Sequence, residues 1–183
     1  MKKMFIYTLI TGSILSMSIM ADKAHAEESI NNNYNINTMV TPGLVKEMKQ
    51  GDYSYKTLAL NTSYYKAKTV LGKPAKETYN NKIGKAIFLD KYNNYIQLGT
   101  EGKFYRTLMP DSDITDIQFN LRNLNVNFNQ YKKILGKYTQ SNRKDNYIYR
   151  TYGQYLKVTL EKKDNTWVLN KVKYKDCTGM RYE

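Results

Sequence analysis

Two ten-residue segments set 64 positions apart carry the same pattern, and that duplication restricts the fold of this 183-residue chain more than any other feature. Tyr64-Tyr65-Lys66-Ala67-Lys68-Thr69-Val70-Leu71-Gly72-Lys73 aligns with Phe128-Asn129-Gln130-Tyr131-Lys132-Lys133-Ile134-Leu135-Gly136-Lys137. Each copy has an aromatic residue, an apolar or aromatic residue three positions later, then a branched residue and leucine ahead of Gly-Lys. On a helix those positions share one face, and the glycine suits the left-handed turn that ends it. Downstream, Ile87 to Leu98 matches Tyr147 to Val158 at an offset of 60, so the connector is four residues shorter in the second copy. Both stretches read as two strands joined by a tight polar turn, at Asn93-Asn94 and at Gly153-Gln154. A further strand follows each, Lys103 to Leu108 and Thr166 to Tyr174, and the alternation of Ile117, Phe119 and Leu121 adds one over residues 115–122. A unit of roughly 60 residues buries too little apolar surface to stand alone. The expected fold is therefore α+β: two tandem helix-plus-antiparallel-meander repeats sharing one core or one curved sheet.

The N-terminal stretch lies outside that pattern. Residues 1–26 read as a cleaved signal peptide: Lys2 and Lys3 precede an apolar run from Phe5 to Met20, and Ala24-His25-Ala26 offers a small-x-small site before Glu27. Thr8, Thr11, Gly12, Ser13, Ser16 and Ser18 make that run too polar for a membrane anchor, and Asp22 and Lys23 follow at once. No lipid-accepting cysteine follows the cleavage site, and no second apolar run or Leu-Pro-x-Thr-Gly signal appears. Secretion without a transmembrane anchor is the expectation, with adsorption to the cell surface as its variant. Asn31, Asn32, Asn33, Asn35 and Asn37 mark residues 27–41 as a flexible leader on composition. Leu44 to Gln50 then reads as a short amphipathic helix, with Pro42 ahead of it and Gly51 as its stop. The organisation is signal peptide 1–26, leader with short helix 27–52, first repeat 53–124 and second repeat 125–183.

Several chemistries are closed to such a chain. His25, the only histidine, falls in the signal peptide, so Ser-His-Asp and Cys-His machinery cannot be built and zinc loses its commonest nitrogen ligand. Ser63 and Lys66 form a Ser-x-x-Lys pattern without its companion elements, and read as a helix cap and a surface lysine. Asp111, Asp113 and Asp116 group three carboxylates but lack the glycine and glutamate of an EF-hand loop, and read as a turn. No phosphate-binding glycine loop, nucleophile elbow or obvious acid pair is present. Cys177 stands alone, so no intramolecular disulfide supports the fold. The reading is a non-enzymatic protein with no cofactor and no metal.

What remains is charge and tyrosine. Without residues 1–26 the chain keeps 26 basic and 15 acidic residues, a formal +11, and residues 53–183 alone carry +13. Lys66 and Lys68 flank the first repeat helix and Lys132 and Lys133 the second. Arg143, Lys144, Arg150, Lys157, Lys162, Lys163, Lys171, Lys173 and Lys175 crowd the second copy. Alternation in Lys171-Val172-Lys173-Tyr174-Lys175 places cations along one strand face, which suits phosphate or sulfate chains through counterion release. Exposed tyrosines suit stacking on bases or sugars. The expected partner is an extracellular polyanion, whether DNA, RNA, a glycosaminoglycan or teichoic acid. A host or bacterial protein bound by the sheet and its tyrosines is the competing expectation.

The signal segment, the Asn/Lys/Tyr-rich composition and the Tyr131 to Lys137 helix followed by Tyr147-Ile148-Tyr149 resemble small secreted staphylococcal proteins of the immunodominant antigen B type, over residues 125–175. That resemblance implies an extracellular nucleic-acid-binding virulence or matrix protein. The doubled helix-plus-meander resembles the tandem repeat of β-lactamase-inhibitor-like proteins, where a segment like Leu71-Gly72-Lys73-Pro74 ends a helix. It implies a concave sheet that clamps a partner protein. The second copy departs from that motif, with Tyr138 where the first has Pro74.

Overall fold

The computed structural model describes residues 34–79, 83–101 and 112–176, which build four short helices and nine strands. Sheet dominates. In chain order the elements are α1 (Ile36–Met39), α2 (Pro42–Gln50), α3 (Tyr64–Leu71), β1 (Lys76–Tyr79), β2 (Ile83–Leu89), β3 (Tyr95–Glu101) and β4 (Asp113–Asn120). There follow β5 (Val126–Asn127), α4 (Asn129–Leu135), β6 (Gln140–Lys144), β7 (Tyr147–Tyr152), β8 (Leu156–Lys163) and β9 (Thr166–Lys175). All pairings are antiparallel, and the strand order is β1-β2-β3-β4-β9-β8-β7-β6, with the short β5 alongside β9. A helix followed by four strands thus occurs over 64–120 and again over 129–175, with the last strand of each, β4 and β9, meeting at the centre.

Local chemistry explains the boundaries. Thr41 caps α2 by accepting from the Leu44 N–H, Pro42 opens the helix, and Gly51 ends it at φ 91°. Ser63 caps α3, accepting from the Lys66 N–H at 3.4 Å. The tight turns fall where the polar pairs predict them: Asn93 takes φ 62° between β2 and β3, and Gly153 takes φ 62° between β7 and β8. Strands β4 and β9 match the expected 115–122 and 166–174 segments within two residues. β1 and β6 were not anticipated. The residues read as signal peptide, the expected strand at 103–108, Asp111 and Cys177 lie outside the described residues.

Period-two burial divides the sheet into two faces. One carries Ala86, Phe88, Ile96, Leu98, Ile117, Phe119, Leu156, Val158, Val172 and Tyr174, all buried and joined to the helices in one apolar cluster. Tyr64 of α3 packs edge-on to Phe88, and Tyr53 to Phe119 and Tyr174, with centroids 5.5–6.2 Å apart. The opposite face has no helix of the described residues on it.

The expected flexible leader is corrected from Tyr34 onward. Tyr34, Ile36, Met39, Val40, Val45 and Met48 are core side chains, none more than 3 % exposed. The asparagine-rich composition hides four apolar positions between 34 and 40 that the fold needs. The Tyr131 hydroxyl donates to the Val40 carbonyl at 2.7 Å, Lys49 Nζ to the Leu135 carbonyl at 2.6 Å, and the Tyr174 hydroxyl to the Gly51 carbonyl at 2.7 Å. The segment is also tied to the β2–β3 hairpin. Buried Asp90 accepts from the N–H groups of Ile36, Tyr92 and Asn94 and from Asn94 Nδ2, at 2.8–3.2 Å. Replacing it leaves at least two buried donors without partners, each worth about 1–3 kcal/mol. Asp90→Ala is therefore expected to lower unfolding free energy in urea by about 2–4 kcal/mol, and Asp90→Asn, which keeps an acceptor, by less. A loss within about 0.5 kcal/mol, the range of an ordinary surface change, would contradict this role.

Candidate anion-binding face

The face of the sheet turned away from the helices can be laid out from the register alone, because directly paired residues point the same way. One row crosses the sheet as Ile87, Gln97, Gln118, Lys173, Lys157, Thr151 and Gln140. The next crosses as Leu89, Tyr95, Asn120, Lys171, Thr159, Tyr149 and Asn142. On the other side of the first row, Lys85, Gly99, Asp116 and Lys175 line up. Over β4 and β6 to β9 the two main rows line an open groove of about 350 Å³, with Lys157, Lys171, Lys173, Gln118, Asn142 and Tyr149 among its lining residues.

Electrostatics at the centre are uneven. Lys157 and Lys173 are direct cross-strand partners, and Lys171 and Lys175 flank Lys173 on the same strand face. Within this group, Lys173 Nζ lies 3.0 Å from Asp116 Oδ1, and both side chains are largely covered. Gly99 makes room for that carboxylate, since a Cβ there would sit 2.1 Å from Asp116 Oδ2. The two are directly paired across β3 and β4, at the last position before the register shifts between Gly99 and Thr100.

The structure divides the cations expected to act together. Lys157, Lys171, Lys173 and Lys175 share the open face, and Lys144 joins it at the β6 end, in register with Tyr147. Arg143 and Arg150 are turned to the helix side. Arg143 lies over the Trp167 ring at 5.8 Å, and Arg150 lies over Tyr138 at 4.8 Å and Phe128 at 5.7 Å. These are cation–π contacts that consume the guanidinium faces. Lys66, Lys132 and Lys133 are exposed on α3 and α4, and Lys68 covers the Tyr64 ring at 5.0 Å. The helix lysines therefore lie on the opposite layer from the strand lysines. Sequence reasoning missed Gln118, Gln140, Asn142 and Tyr149. Their alternation with inward residues was legible, but their meeting in two rows depends on strand order.

Among the described residues no cluster of three His, Cys, Asp or Glu side chains could hold a metal ion, and no helix is long and apolar enough to cross a membrane. Compared with protein-family models, curated proteins and solved structures, the chain matches none.

Proposed function

We propose that the protein is a secreted, non-enzymatic binder of an extracellular polyanion, and that the ligand lies on the open face over β4, β9, β8 and β7. The placement of Lys157 opposite Lys173, with Lys171 beside them, carries this reading. Three lysines gathered on two adjacent strands of one face concentrate positive charge there, and an anionic chain laid over them gains from counterion release. The duplication read from the sequence is compatible with this arrangement: two copies of a helix-plus-meander unit, joined edge to edge, supply a continuous surface whose second half carries the charge.

Binding of duplex DNA and of a heparin-like glycan across a salt series tests the proposal. Affinity is expected to fall steeply with salt, and Lys157→Glu/Lys171→Glu is expected to flatten the slope by about two units. Lys132→Glu/Lys133→Glu should change binding only slightly, because those side chains sit on α4. Asp116→Asn should tighten binding by releasing Lys173 from its carboxylate. No binding to either ligand near physiological salt, or equal losses from the two lysine pairs, would refute the reading.

A second reading has its own support. Ile87, Leu89 and Tyr95 lie half-buried on the open face of the first half, where polar residues are the rule. A protein partner centred there would respond modestly to salt.

A further inference from the structure

We infer that the polyanion is an acidic glycan, a sugar chain bearing sulfate or carboxylate groups, laid across the strands rather than along them. This rests on the open-face reading above and concerns which polymer that face takes. The row Gln97, Gln118, Lys173, Lys157, Thr151 and Gln140 crosses six adjacent strands. At about 4.8 Å per strand it spans about 24 Å, long enough to follow a polymer over several repeats.

The chemistry along this row is that of sugar recognition. A carboxamide offers two donors and an acceptor, which matches hydroxyl groups that both donate and accept. Gln97, Gln118, Gln140 and Asn142 make no side-chain hydrogen bond among the described residues, although Gln97 and Gln118 are half-buried. Lysine between them supplies point charges that accept a sulfate or carboxylate from many angles. Sugar polymers present both features in alternation, hydroxyls between charged groups.

Nucleic acid fits the same face less well. Single strands bind through rings that stack on successive bases. Tyr149, at 45 % exposure, is the one aromatic of the two rows in the open, since Tyr95 is half-buried. The arginines that would grip phosphate in a bidentate fork, Arg143 and Arg150, lie on the other side against aromatic rings. A site for bases would be expected to present the reverse arrangement.

The deciding experiment measures affinity, by fluorescence anisotropy at one salt concentration, for a heparin hexasaccharide and for a single-stranded oligonucleotide of matched charge. Three forms are compared: the parent chain, Gln118→Ala/Gln140→Ala, and Lys157→Glu/Lys171→Glu, with thermal unfolding confirming that each is folded. The parent should prefer the glycan about tenfold. The amide variant should lose about tenfold for the glycan, the worth of two hydrogen bonds, and less than about twofold for the oligonucleotide. The lysine variant should lose both. Equal parent affinities, a preference for the oligonucleotide, or an amide variant that keeps its glycan affinity would overturn the glycan assignment while leaving polyanion binding intact. Failure of the parent to bind either probe would overturn both.

Discussion

A chain begun at Tyr53 is expected to lose its cooperative fold, whereas one begun at Asn31 keeps it. The shorter chain lacks Ile36, Met39, Val40, Val45 and Met48, each buried to within 3 % of completely. Full burial of such side chains contributes about 1.5–3 kcal/mol apiece. The conformational entropy of ordering the segment offsets part of that gain. Nothing offsets the second loss, which is exposure of what the segment covers. α2 packs on α4, and Asp90, Tyr131, Leu135 and Tyr174 each lose a hydrogen-bond partner in residues 36–51. For a domain with a total stability of about 5–15 kcal/mol, this removes most of the margin. Thermal unfolding of the two chains, followed by near-ultraviolet circular dichroism, reads the difference. The chain begun at Tyr53 should show a broad transition or none. A sharp transition at the parent temperature would show that residues 34–50 merely decorate the core.

That segment also shows where sequence reasoning failed. Helix α2 was legible because a proline, a threefold and fourfold apolar spacing and a glycine coincide between Pro42 and Gly51. The preceding residues were not, because four asparagines between 31 and 35 dominate the composition while Tyr34, Ile36, Met39 and Val40 carry the packing. The hairpins of β2–β3 and β7–β8 were legible from alternation and from turn residues that tolerate positive φ. β1 and β6 were not. Lys76-Glu77-Thr78-Tyr79 and Gln140-Ser141-Asn142-Arg143-Lys144 are edge strands with little or no buried side chain, so they carry no apolar rhythm to read.

The site was half legible for a related reason. Alternation in Lys171-Val172-Lys173-Tyr174-Lys175 correctly places three lysines on one face. Which other lysines join them is a question of pairing between segments more than ten residues apart, and strand spacing alone cannot answer it. Arg143 and Arg150 illustrate the point. Each is one position out of phase with an open-face neighbour, Lys144 or Tyr149, and a single-residue change of phase exchanges solvent for the aromatic layer. The charge of the chain was visible from composition, but its division into two layers required the register.

Alkaline solution should unfold this protein cooperatively between about pH 10 and 12, because its core is built on phenols. Tyr34, Tyr53, Tyr64, Tyr131, Tyr152 and Tyr174 are each at most 4 % exposed. Burial pushes all six above the ordinary tyrosine value, Tyr174 to about 12. Neighbouring charge adds to burial at Tyr34, through Asp90, and a hydrogen bond to Glu77 adds to it at Tyr64. Below about pH 10 both folded and unfolded chains keep these protons, and the stability is fully present. Above it the unfolded chain releases protons that the folded chain retains, so unfolding free energy falls as pH rises. Each phenol costs about 1.4 kcal/mol per pH unit in that window. Several acting together exhaust a stability of about 5–15 kcal/mol within one or two pH units. Tyrosinate absorbance from the buried set should therefore rise abruptly, together with the loss of circular dichroism. One smooth titration with the fold intact would contradict this. Tyr53→Phe sharpens the test: the buried Tyr53 hydroxyl has no hydrogen-bond partner among the described residues, so its removal should raise stability by about 1 kcal/mol and move the transition to higher pH.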